Sequence, residues 1–254
     1  MNKCPFNHET LTFDPLDLNN PYPALEWSRQ EQPVFYSPEI DYWVVTRFDD
    51  IKAIFRDHDT YTAANTITPI TPFSEAVQNR LKDGNYTPVP VLSNNVPPDH
   101  TRVRKLVNKL FLPRRMRHFE PAIREMVRMR LTSFIDQGQT EVVETLTYDF
   151  PAKVLFLVLG VPAEDVPQVK EWSDNRIELY YGRPSPEEQL KRTEGLVPFW
   201  HYVVNLVNRK IENPTDDLTS DLIKMRNGDD SILIKSLVKS SVGFSILRLT
   251  KFTT

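Results

Sequence analysis

Cysteine occurs once in these 254 residues, at Cys4. A single thiol excludes an intramolecular disulfide, and no combination of it with the histidines has the spacing of a zinc site. Glycine is also scarce, with seven residues against 21 prolines. The prolines fall mostly between periodic segments, where they start helices or stiffen connections, so the expectation is a helical protein with long, shaped loops. The longest apolar run, Val154 to Val161, is far short of the roughly 20 residues that a membrane-spanning helix needs, and it reads as buried helix. The start, Met1-Asn2-Lys3-Cys4-Pro5-Phe6, has no apolar stretch of signal-peptide length. A soluble, cytoplasmic protein without a membrane partner is expected. Excess charge of either sign is lacking too: 31 Lys and Arg against 34 Asp and Glu leave a net charge of -3, which argues against a nucleic-acid partner. What is present is 40% hydrophobic content, enough to fill the core of one large domain or two small ones.

Along the chain, Pro21-Tyr22-Pro23 opens a short helix through Trp27. Pro33 to Tyr36 and Tyr42 to Thr46 read as two strands joined at Ser37-Pro38, a small antiparallel sheet. Asp49 is positioned to cap a helix with Ile51, Ile54 and Phe55 on one side, ending near His58. Periodicity is weak from Thr62 to Val96, where only Ser74 to Lys82 suits a helix. A connection this long is either functional or a linker between domains. After Pro97-Pro98-Asp99 the residues Val103, Leu106, Val107, Leu110 and Phe111 form one apolar helical stripe, which Pro113 ends. A further helix runs through Ile135 to Gly138, then a strand at Val142-Val143, then an apolar helix after Phe150-Pro151 that closes at Gly160-Val161-Pro162. Ala163 to Tyr181 and Pro186 to Ile211 suit two longer amphipathic helices, and Asp216 to Met225 a shorter one. Beyond Asp230 the last 24 residues hold no Asp or Glu, four Lys or Arg and eight Ser or Thr. That break suggests a divergent tail over residues 233–254, either out of the reading frame of the rest or a natural amphipathic terminal helix with Leu233, Leu237 and Ser241 spaced for one face.

On the helix that carries Val103, an ideal α-helical wheel puts His100 roughly 50° and Arg104 roughly 90° from the centre of the apolar stripe, on the same side. A cation at the border of a buried face requires an anion or acceptor. No acid within the helix satisfies Arg104, so its partner is either a carboxylate from elsewhere in the fold or a bound group. Arg102, Lys105 and Lys109 fall on the far side and read as solvated.

Three segments then resemble successive landmarks of bacterial cytochromes P-450: Tyr42-Trp43-Val44-Val45-Thr46-Arg47-Phe48-Asp49, Pro97-Pro98-Asp99-His100-Thr101-Arg102-Val103-Arg104, and Phe111-Leu112-Pro113-Arg114. Pro151 to Pro162 and Asp216 to Leu222 continue the likeness, and residues 1–232 are similar to the amino-terminal part of such a domain. The resemblance implies a mainly α fold with a small antiparallel β-sheet, here an incomplete cytochrome P-450 fold. It implies haem as cofactor, with the propionates bound by His100 and Arg104. The Thr62 to Val96 stretch corresponds to a loop over the substrate pocket, which makes Ile67, Ile70 and Phe73 contacts for a small organic substrate or else plain loop anchors. The two long helices correspond to a lid pair over the same pocket. Arg102, Lys105 and Lys109 become a docking patch for an electron-transfer partner, a ferredoxin or flavin reductase, or remain an ordinary solvated face.

The sequence departs from the family in lacking the oxygen-helix pattern, the Glu-x-x-Arg pair and the cysteine segment whose thiolate ligates the iron. Cys4 falls at a remote terminus by the same resemblance. Two functions remain open: a truncated monooxygenase whose intact relatives insert one oxygen atom from O2 into an organic substrate, or a short non-enzymatic protein that keeps part of the fold for binding or regulation.

Overall fold

The computed structural model describes residues 19–87, 92 and 95–225. The expectations for Cys4 and for the tail at 233–254 lie outside the described residues. Two strands, β1 (Val34–Ser37) and β2 (Tyr42–Val45), pair antiparallel with Phe35 opposite Val44 and Tyr36 opposite Trp43. Around them come α1 (Tyr22–Glu31) and α2 (Phe48–Arg56). The rest is helical: α3 (Glu75–Asp83), α4 (Asp99–Leu110), α5 (Pro113–Thr132), α6 (Phe150–Leu159), α7 (Val166–Tyr181), α8 (Pro186–Glu212) and α9 (Leu218–Lys224). No helix among the described residues is long and apolar enough to cross a membrane.

Proline sets the helix starts. It stands in the first two positions of α5, α6, α7 and α8, where its missing N–H costs nothing and its fixed φ suits the helix. Ser74 and Asp217 cap α3 and α9 through their side chains. Ser185 and Glu188 form a reciprocal capping box on α8.

Three expectations are corrected. The first helix runs on to Glu31 instead of stopping at Trp27. Asp49 sits inside the first turn of α2, while Arg47 holds the capping position without a side-chain bond; the carboxylate there favours the helix dipole without closing a cap. Val142-Val143 is no strand: residues Val143–Thr147 form a π-helical turn. The Glu141 carboxylate accepts from the amides of Val143 and Glu144, and these capping bonds favour a helical start where no neighbouring strand offers a ladder.

The core has three clusters. Leu110, Phe119, Val158, Val207, Leu218, Leu222 and Ile223 join α4, α5, α6, α8 and α9. Phe156, Val166, Val169, Phe199 and Val203 join α6, α7 and α8. Val77, Leu81, Leu179, Tyr180 and Leu196 seat α3 against α7 and α8.

Candidate functional site

The α4 helix buries Val103, Val107 and Leu110, the stripe expected from spacing, and leaves its cations outside. His100 is half-buried, while Arg102, Arg104, Lys105 and Lys109 are exposed. Arg104 is therefore not buried among the described residues. At that exposure the desolvation cost anticipated for a buried cation does not arise. Among the described residues neither His100 nor Arg104 forms an ion pair; Arg102 instead pairs with Asp99 one turn earlier, at 2.9 Å. The structure thus brings His100 and Arg104, four residues apart on one helix, to a common side, and no carboxylate among the described residues pairs with either.

The Thr62–Val96 stretch is no free linker. Within it the Ile70 amide donates to the Tyr180 carbonyl at 3.0 Å and the Thr71 hydroxyl to the Gly182 carbonyl at 3.2 Å. Gln189, 2% exposed at the start of α8, uses both ends of its amide: its oxygen accepts from the Ser74 amide at 3.0 Å and its nitrogen donates to the Pro72 carbonyl at 3.1 Å. Phe73 stands edge-on to Tyr180, with ring centroids 5.4 Å apart. Ile70 and Phe73 are half-buried, and Phe73 packs against the cluster around Leu179 and Tyr180. Ile67 ends a 3-10 turn over Ala64–Ile67; its side chain lies outside the described residues.

One group escaped the sequence reading. Arg176 on α7 is only 4% exposed, and its Nε and Nη1 have no hydrogen-bond partner among the described residues. Its guanidinium lies 5.0 Å from the Tyr180 ring centre. The Tyr180 hydroxyl meets that of Tyr86 at 3.2 Å. Burial, helped by the Tyr86 hydroxyl, pushes the Tyr180 phenol far above its ordinary value, so it stays protonated at neutral pH. A helical wheel on α7 carries the signal: Val169, Ser173, Arg176 and Tyr180 fall on one buried stripe.

The chain is mostly helical with a small antiparallel sheet, carries His100 and Arg104 four residues apart on α4, and has a long loop pinned against α7 and α8. Sequence and fold together place the chain with the bacterial cytochromes P-450, as a match to their amino-terminal half. No protein-family profile matches the chain. It is 31% identical over 216 residues to cytochrome P-450 130 of Mycobacterium tuberculosis, covering 83% of this chain and 51% of that protein. It is 30% identical over 212 residues to the vitamin D(3) 25-hydroxylase of Pseudonocardia autotrophica, covering 83% and 49%. Among solved structures, cytochrome P-450 CREJ in complex with (4-ethylphenyl) dihydrogen phosphate superposes with a TM-score of 0.84 at 35% identity, over 91% of this chain and 58% of that one. The chain spans about half the length of the curated relatives it matches.

Proposed function

We propose that this sequence forms the part of a haem monooxygenase that grips the haem propionates and covers the substrate, and that the intact protein inserts one oxygen atom from O2 into a small organic molecule. The observation that carries this reading is the α4 pair. His100 and Arg104 present two donors on one side of a helix whose other side is locked into the core, and no described carboxylate neutralises Arg104. The donor set fits a group with two carboxylates. When bound, haem with a thiolate ligand supplies the oxygen chemistry.

This chain's own residues do the holding and the covering. Arg104 offers a planar fork to one carboxylate, and His100 offers a ring nitrogen one turn away. The loop bearing Ile67, Ile70 and Phe73 walls the pocket, and its bonds to Tyr180 and Gly182 tie that wall to the lid helices α7 and α8. The only cysteine in these 254 residues is Cys4, so this chain by itself offers no placed thiolate, and we expect no thiolate-type spectrum from its reduced carbon monoxide complex.

In a chain extended to the length of its relatives, Arg104→Ala removes a charge-assisted hydrogen bond worth about 1.5–3 kcal/mol, so haem retention should weaken roughly ten- to a hundredfold. His100→Ala should act the same way, more mildly. Haem held as tightly by both variants as by the parent would refute the assignment. Lys105 and Lys109, with Arg102 partly committed to Asp99, form an exposed cationic face suited to an acidic electron-transfer partner. Reversing the two lysines to glutamate should slow electron delivery most at low salt and leave haem content unchanged.

A further inference from the structure

A guanidinium buried without a partner is costly, because the charge has given up water and received nothing for it. The acids carried by α7 are already engaged elsewhere. Asp174 pairs with Lys170 at 2.7 Å, Glu178 pairs with Arg192, and Glu171 accepts from the Gln168 amide at 3.2 Å. Asp165, just before α7, accepts from the Tyr202 hydroxyl at 2.7 Å. Among the described residues Arg176 has only the face of Tyr180.

What surrounds that point is not random packing. Tyr180 is the residue on which the loop is fastened, through its carbonyl to Ile70 and through its ring to Phe73. Its hydroxyl reaches Tyr86, whose ring in turn lies edge-on to Trp200 at 5.6 Å. One buried cation and two phenol hydroxyls therefore converge where an aromatic-lined loop meets α7. The Tyr180 hydroxyl is held protonated by burial and so can donate, to Tyr86 or outward.

We propose that Arg176, assisted by Tyr180 and Tyr86, is the recognition point for an organic anion: a molecule with an apolar or aromatic body and a carboxylate or phosphate-ester head. The body packs against the Phe73 side of the loop, and the head takes the unmatched Nε and Nη1. The assignment rests on the reading of α7 and the loop as the cover of a substrate pocket, and it specifies the substrate class for that pocket.

The experiment is a thermal melt of the 254-residue chain without haem, titrated with phenyl phosphate, phenylacetate, phenol or inorganic phosphate. Phenyl phosphate, phenylacetate or both should raise the melting temperature saturably, whereas phenol should not. Arg176→Met should melt at or above the parent without ligand, because an unpaired buried charge is gone, and its affinity for the acids should fall roughly ten- to a hundredfold. Arg176→Lys should recover part of the binding. Three results would overturn the proposal: Arg176→Met melting well below the parent without ligand, which would reveal a structural partner; equal shifts in parent and variant; or inorganic phosphate matching the aromatic acids, which leaves no role for the body. Since no haem is present, failure here is separate from failure of the propionate assignment, which the Arg104 and His100 variants test.

Discussion

Where α6, α8 and α9 meet, Lys210 and Asp217 bury their charges together; on α7, Arg176 buries its charge alone. At the first place everything is matched. The Lys210 ammonium lies 2.6 Å from the Asp217 carboxylate, which also accepts from the Thr215 hydroxyl and from the Ser220 amide at 2.8 Å as the cap of α9. The Thr219 hydroxyl donates to the Leu159 carbonyl at 2.7 Å, tying α9 to the end of α6. At the second place the acids of α7, Glu171, Asp174 and Glu178, are all engaged by other groups. A buried charge that is fully satisfied belongs to the architecture, while one left open is maintained against its own cost.

The comparison breaks first, and hardest, at Asp217. Asp217→Ala leaves the Lys210 ammonium, 12% exposed, buried without its partner, and should cost about 3–5 kcal/mol, read from denaturant unfolding midpoints. A loss below about 1 kcal/mol, the range of an exposed pair, would show that the junction is no more structural than a surface ion pair. The same carboxylate should be visible in acid. Burial pushes Asp217 up, but hydrogen bonds from Lys210, Thr215 and the Ser220 amide outweigh it and hold the carboxyl below its ordinary value. The unfolded chain therefore binds the proton more readily. The contribution is complete above the usual aspartate range near pH 4 and fades as pH falls through the lower folded value. Asp217→Asn should flatten that acid limb.

Gly160 gives a smaller break. It ends α6 at φ 74°, and a Cβ there would run into the Asp217 carboxylate. Gly160→Ala should cost about 1–2 kcal/mol for the left-handed backbone alone, with more for displacing Asp217, measured on the same unfolding curves. Arg176→Met sharpens the contrast at the small end. Removing this buried charge should change ligand-free stability by no more than about 0.5 kcal/mol, or raise it, as removal of a charge without a partner should.

Much of this was legible before any coordinates. The apolar stripe of α4, the helix starts at proline, the hairpin at Ser37-Pro38 and the left-handed stop at Gly160 all follow from spacing and backbone chemistry within a few residues. The mistaken strand at Val142-Val143 shows the limit of that reasoning: two β-branched residues signal a strand only if another strand is there to pair with, and Glu141 offered the local amides a closer acceptor. The exposure of Arg104 could not be read from spacing either. A wheel fixes where a Cβ points, not where a guanidinium four bonds further out comes to rest.

Arg176 marks the same boundary from the other side. Its place on the apolar stripe of α7 was written in the order of residues, because helical period alone sets which side chains share a face. Whether it had a partner was not, because the acids on and beside α7 are each taken by another donor, Lys170, Arg192, the Gln168 amide or the Tyr202 hydroxyl. Local geometry determined the helices, their ends and their faces. Only the tertiary structure decided which charges meet, since a local period shows which donors and acceptors share a face but not which of several competing partners each one takes, as Glu178 takes Arg192 of the next helix.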